Sequence, residues 1–348
     1  MNQRAESGLV LALQNLPKSN RVLCVSKGWD TYISGEFFEI HQALENKGWL
    51  KLIIDEASDA DLLAAIREAE VVLLWEAYEF IERNASILSE EHSGNSRQQR
   101  VFFCDDVHHF TTERRVQRLC AFAWASLILA TYPDRLQQWF PEIDRLKVRW
   151  TPHSAASYFG IHKREPGESS NLVLLSGSRT WPYPFRQFCA VKLDSTVCAV
   201  IDHPGYPGYP GDRANNMVAD PSALRRLGRE RYAALLHGYP AMLVCGSILG
   251  YLVAKVFEGM AAGCLTICER ASLGQQLAAL GFREGQHYIG TDLPTLIEDV
   301  QRVRNAYMAD PEHWHGITQA AAAKVFEEHT TAARAAQIHS ICMESVET

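Results

Sequence analysis

Hydrophobic residues fall along this chain in short blocks of roughly four to seven, and stretches with a helical period separate them. In the first half the blocks are Arg21-Val-Leu-Cys-Val-Ser26, then 50–54, 71–75, 101–104 and 126–131. Helices are predicted over 37–47, where Phe38, His41, Leu44 and Glu45 share a spacing closed by Gly48, and over 59–69 and 115–121. The polar run 92–99 reads as a surface loop. Residues 148–154 end this half, and polar 162–170 forms a connection. A second series starts at 171–175 and continues through 195–201, 241–245 and 264–268, with helices expected over 186–192, 223–236 and 247–262. The Ala-rich tail 314–346 predicts helix. Apolar blocks alternating with helices call for parallel sheets covered on both faces. Count and order predict an α/β chain of two doubly wound, Rossmann-like domains facing one another across a cleft, with the first ending at 155 and the second covering 156–325. Ligands of such sheets bind outside the carboxyl ends of the strands, so the loops there are the places to look for chemistry.

One stretch is richest in such chemistry, Tyr251-Leu-Val-Ala-Lys255-Val-Phe-Glu258-Gly-Met-Ala-Ala-Gly263-Cys264. On an ideal helix at about 100° per residue, Tyr251, Lys255, Glu258 and Ala262 fall within roughly one 60° arc, opposite the apolar residues. A lysine and a glutamate on one face supply an ammonium for a phosphate and a carboxylate for sugar hydroxyls. The same pair also occurs as an ordinary surface ion pair. Small residues flank it, Gly246 and Ser247 before and Gly263 after, as a close ligand requires. Upstream, Ser176-Gly177-Ser178-Arg179, followed by Arg186, opens a strand onto a helix N-terminus, which offers N–H groups and a positive dipole end to an anion. Solvated arginines beside a plain turn would look the same. Neither a Walker A sequence nor a G-x-G-x-x-G is present.

The run K-x-F-E-x-M-A-A-G-C, with Gly281-Phe282 and His287-Tyr288-Ile289 after it, resembles the nucleotide-sugar half of GT-B glycosyltransferases. The group it is most similar to is the "glycosyl transferases group 1" C-terminal domain, including its spore-maturation-type relatives. The resemblance implies that Glu258 holds ribose hydroxyls and that Lys255, or an arginine, holds the diphosphate. Ser176, Gly177, Arg179, Arg186, Gly246, Ser247 and Tyr251 would complete the donor site, with the loop at His203 lining it. Lys27-Gly28 resembles the glycine loop that approaches the transferred sugar, although one glycine after a strand is also a plain turn. Phe326-Glu-Glu-His-Thr330 and Arg334 are similar to the end of group 1 enzymes, which implies that a C-terminal helix, 326–348, crosses back to the N-terminal domain. Many retaining members carry a glutamate eight residues before the ribose glutamate. Gly250 stands there in this chain, so stereochemistry stays open.

In the first half, Asp105-Asp106-Val-His108-His109 follows a buried block. Asp106 and His108 are the candidate catalytic pair, a carboxylate that orients an imidazole and raises its basicity. A hydrogen-bonded strand end is the alternative. Adjacent His108 and His109 do not readily share one ion, so no metal site is expected. The function expected is transfer of a sugar from a nucleotide-diphosphate sugar (UDP-, GDP- or dTDP-) to a hydroxyl-bearing small-molecule or glycan acceptor, without metal or cofactor. A nucleotide-sugar epimerase of the same architecture and a non-catalytic nucleotide-sugar-binding partner are the alternatives.

Composition narrows the class further. The 348 residues suit two domains, and 47% hydrophobic with 22% charged residues is ordinary for a globular protein. A net charge of −7 argues against a nucleic-acid partner. Nine scattered cysteines with no C-x-x-C predict reduced thiols and, with no signal peptide, a cytoplasmic protein. The longest apolar window, 121–132, falls short of the roughly 20 residues that cross a bilayer.

Overall fold

The computed structural model describes residues 13–15, 21–29, 32, 34–94, 98–108, 111–161, 170–201 and 229–344. Its contacts divide into two compact units, Met1–Trp29 with Ile40–Pro152 and Arg334–Thr348, and Asp30–Glu39 with His153–Ala333.

The first unit holds, among the described residues, a six-stranded sheet. Its strands are β1 (Val22–Ser26), β2 (Leu50–Ile53), β3 (Val71–Trp75), β4 (Gln99–Cys104), β5 (Leu127–Ala130) and β6 (Val148–Trp150), in the order β2-β1-β3-β4-β5-β6. Every pairing is parallel; Val25 faces Leu74, for example, and Trp75 faces Phe103. β1 and β3 are buried along their whole length, as apolar strands covered on both faces must be. The helix Thr112–Trp124 runs three residues further each way than predicted, because Thr111 caps it by accepting from the Arg114 N–H at 3.2 Å. The predicted loop at 92–99 is shorter than expected, since the helix Ala85–Gly94 enters it and β4 starts at Gln99.

In the second unit the strands are β7 (Val173–Ser176), β8 (Cys198–Ile201), β9 (Ala241–Val244), β10 (Leu265–Glu269) and β11 (Ile289–Thr291), ordered β11-β10-β9-β7-β8 and again all parallel. Strand order reverses at β1/β3 in one sheet and at β7/β9 in the other. Those are the switch points where a doubly wound sheet opens a crevice.

Two helix predictions need correction. The helix expected over 247–262 begins only at Ala254. Ser247 and Gly250 adopt left-handed backbone, with φ 62 and 63, and the Tyr251 N–H returns to the Gly246 carbonyl at 2.6 Å. The segment is therefore a closed turn, and Tyr251 lies off the helix and buried. At the other end Gly263, at φ 74, donates to the Met260 carbonyl while Cys264 donates to Gly259, a Schellman stop that needs a residue tolerant of positive φ. The tail forms two helices, Pro311–Glu328 and Thr331–Met343, rather than one. His329 breaks it by bridging to Ala155: the Ala155 N–H donates to the His329 carbonyl at 2.8 Å, and the Thr331 N–H to that of Ala155 at 3.1 Å. The His329 ring is buried against Phe257 and Phe282, at centroid distances of 5.0 and 5.4 Å.

Gly259 faces β9 so closely that a Cβ there would overlap the buried Met242 sulfur. Alanine normally strengthens a helix by about 1 kcal/mol over glycine. Here Gly259→Ala is expected to destabilise by about 1–3 kcal/mol through overpacking. Met242→Ala should offset part of that loss, and urea unfolding of the two variants and their combination checks both.

Candidate active site

The carboxyl edge of β7, at the second unit's switch point, gathers most of the predicted residues. Ser176 ends the strand, its hydroxyl 2.6 Å from that of Tyr232. The Lys255 ammonium donates to the same Tyr232 oxygen at 3.2 Å and lies 4.3 Å from the ring centroid. Gly177 follows at φ 117, and a Cβ on it would lie 2.8 Å from Arg186 Nη1 and 3.0 Å from Lys255 Cε. Two cationic side chains thus converge where only a glycine leaves room. Arg186 is buried on the first turn of the helix Pro184–Lys192, packed 4.0 Å over the Tyr183 ring and donating to the Ser178 carbonyl at 3.1 Å. Arg179 stands half-buried in the loop before that helix, its carbonyl accepting from Gln187 at 2.8 Å.

Glu258 lies one helical turn beyond Lys255 and is buried. Burial raises its pKa; the Lys255 charge opposes that, the Glu36 carboxylate adds to it, and His153 opposes it. Glu36 and His153 make a further buried pair, with His153 Nδ1 2.8 Å from Glu36 Oε2 and the Ser154 hydroxyl donating to Glu36 Oε1 at 2.9 Å. Tyr158 accepts from the Gly35 N–H at 3.0 Å, and burial, then the Glu258 charge, raises its pKa far above the phenol range. Glu258 is therefore a desolvated carboxylate among polar groups, suited to accept from hydroxyl donors. The Gly246–Ser247 turn is pinned to the next helix: the Gly246 N–H donates to Ser272 Oγ at 2.8 Å, and that hydroxyl donates to Glu269 at 2.6 Å. Of the remaining predicted residue here, His203 lies outside the described residues.

Sequence reasoning missed Tyr232, Glu36, His153 and Tyr158. They sit far from Lys255 in the chain, and single aromatic or acidic residues carry no spacing signal.

In the first unit Asp106 is exposed and its carboxylate is 3.8 Å from His108 Nδ1, too long for a hydrogen bond. Burial lowers the His108 pKa; Asp106 opposes this, while Arg118 and Arg114 reinforce it. The expectation that Asp106 makes His108 more basic is thus reversed, because desolvation outweighs the carboxylate. His109 lies outside the described residues. Lys27 pairs with Glu79 at 3.8 Å on the surface, beside half-buried Gly28. Glu76, missed as a lone acid after β3, holds φ 53 and accepts from the Asp105 N–H at 2.7 Å and the Tyr78 hydroxyl at 3.3 Å. Burial, then the Asp105 carboxylate, pushes it up to about 8, with Asp106 adding and the Asp105 N–H and Arg118 opposing. A carboxyl so placed exchanges a proton near neutrality. Among the described residues no group of three or more His, Cys, Asp or Glu could hold a metal ion, and no helix is long and apolar enough to cross a membrane.

Two doubly wound units, one of them gathering cations at its switch point, make up the GT-B glycosyltransferase architecture. Residues 194–340 match the family model described as glycosyl transferase-like. No curated protein matches it in sequence. Among solved structures it is similar to an α-glucosyltransferase in complex with UDP-glucose and DNA containing an abasic site, at 10% identity and TM-score 0.62 over 93% of this chain and 99% of that one. Anabaena Alr3699/HepE in complex with UDP and glucose is similar at 14% identity and TM-score 0.62, with the same shares covered. A glycosyltransferase from Rickettsia africae ESF-5 follows at 11% identity and TM-score 0.59, over 94% of this chain and 98% of that one. These likenesses carry the fold. They also overturn the expectation of no nucleic-acid partner, since other α-glucosyltransferase structures with this fold hold 13-mer DNA. Net charge was the wrong criterion, because a local field, not the sum, decides what a surface attracts.

A carboxyl of raised pKa adds stability below its unfolded value that is lost as pH rises through its folded value. For Glu76 that window runs from the ordinary carboxyl value of 4.5 up to about 8. Glu76→Gln is therefore expected to raise the melting temperature at pH 9 and to leave it unchanged at pH 4, measured by thermal unfolding at both.

Proposed function

We propose that this protein transfers a sugar from a UDP-sugar, with the diphosphate bound at Gly177 between Arg186 and Lys255 and the ribose hydroxyls on Glu258. The convergence of both cations on that glycine, inside or next to the glycosyl transferase-like region, carries this reading. The similar structures that hold UDP or UDP-glucose support the choice of base. As the bond to the sugar breaks, negative charge grows on the diphosphate, and preset cations stabilise it without reorganising. Ser176, Arg179, Gly246 and Ser247 border the same strand ends; Tyr251 supports them from its buried position behind the turn. Arg186 and Lys255 take the part a metal plays elsewhere, so no metal is needed. On the acceptor side we assign His108 and Asp106, which follow β4, with Lys27 and Gly28 following β1 of the same sheet. An imidazole kept neutral at pH 7 hydrogen-bonds a hydroxyl and can take up its proton. The nine cysteines are all thiols, which favours a reducing, cytoplasmic setting.

Calorimetry with UDP tests the donor site. Lys255→Ala and Glu258→Ala should each weaken binding by about 1–3 kcal/mol, Lys255→Ala affecting UDP but not uridine. Wild-type UDP affinity in both variants would sink the assignment. Turnover of UDP-glucose, assayed against glycan, small-molecule and duplex DNA acceptors, should survive EDTA; loss that Mn²⁺ restores would establish a metal requirement instead.

A further inference from the structure

We propose that Tyr232 is a positioning residue of the donor site, holding the Lys255 ammonium where the diphosphate meets it. The inference deepens the donor reading above and rests on it. Lysine is a flexible point charge whose side chain carries about 2 kcal/mol of rotamer entropy. In this structure two contacts with one residue restrain it: the ammonium donates to the Tyr232 oxygen at 3.2 Å and lies over the ring at 4.3 Å. Tyr232 is in turn fixed by Ser176, the last residue of β7, through a 2.6 Å hydrogen bond. Phe159 packs edge-on against its ring at 6.2 Å between centroids. The phenol is therefore anchored to the strand end from which Gly177 departs. Lys255 Cε is held within contact of the space above that glycine, next to Arg186 Nη1.

The chemistry of the hydroxyl suits this role. A lysine can only donate, so Tyr232 oxygen accepts from it and keeps its own proton for Ser176 or for a phosphate oxygen. An ammonium ordered before the ligand arrives loses less freedom when it binds, and the affinity gained is specific to the group it meets. The effect should thus appear with diphosphate, vanish with nucleoside, and depend on Lys255.

Calorimetry with UDP and with uridine on Tyr232→Phe, Tyr232→Ala, Lys255→Ala and the Tyr232→Phe/Lys255→Ala double variant tests this. Tyr232→Phe keeps the ring and removes only the hydroxyl, so it should fold as the wild type does. It is expected to weaken UDP by roughly 3- to 10-fold, in line with one hydrogen bond to a charged group, with uridine unchanged. Tyr232→Ala should weaken UDP further because the ring contact also goes. The double variant should bind UDP no more weakly than Lys255→Ala alone, as coupled residues require. UDP affinity at the wild-type level in Tyr232→Phe, or a loss that persists in the Lys255→Ala background, overturns the proposal while leaving the donor site standing. Lys255→Ala with wild-type UDP affinity removes the donor reading and this inference with it.

Discussion

Parallel strands cannot be joined by tight turns, and every other feature of this protein is arranged around that constraint. Each strand must be followed by a crossover that returns the chain to the sheet's starting edge. All strands of a sheet therefore end on the same side, and the loops that leave them collect there. Where strand order reverses, neighbouring crossovers depart to opposite faces, so the loops part and leave a crevice. In the second unit this happens between β7 and β9, the strands that lead into Ser176-Gly177 and Gly246-Ser247. In the first it happens between β1 and β3, which lead into Lys27-Gly28 and Glu76. The positions of the polar residues follow from topology before any side chain is considered.

Much of that topology was legible in the sequence. Blocks such as 71–75 and 241–245 are apolar throughout because both faces of each sheet are covered, and a continuous apolar run needs no partner to be recognised. β11 escaped because three residues make no run. The helix preceding Gly263 was placed correctly at its end, where a glycine stop is a strong signal, and wrongly at its start. The apolar period continues back through Tyr251, but left-handed Ser247 and Gly250 close a turn first, and periodicity does not register a single backbone angle. Similarly, His329 looked like one more residue of a long helix, and only its bridge to Ala155, distant in sequence, breaks it.

The candidate site divides along the same line. Lys255 and Glu258 were visible because spacing on one helix is a local property. Tyr232, which orders Lys255, and Glu36 with His153, whose charges act on Glu258, were not, because their meaning arises only when distant segments meet. The expected rise in His108 basicity is reversed for a related reason. The sequence shows the neighbouring carboxylate, which raises a histidine's pKa, but not the burial that lowers it, and burial is the larger effect.

Burial is also what gives the remaining carboxylates their chemistry. Glu258 and Glu76 are each held in low-dielectric surroundings that disfavour their ionised form, and the Lys255 and Arg118 charges offset that only in part. A protein selected for stability alone would replace such groups with apolar ones, often with a gain. Glu76 stands just past a strand end, on a left-handed non-glycine backbone that itself costs on the order of 1 kcal/mol or more, and Glu258 lies on the helix Ala254–Ala261; buried carboxylates so placed are the pattern expected where ligand contacts supply the missing compensation. Hydroxyls donating to Glu258 would satisfy a carboxylate that the protein alone leaves poorly solvated. On this view the unfavourable terms are concentrated at the edges where the fold already opens, and the all-parallel sheets behind them hold those groups in place.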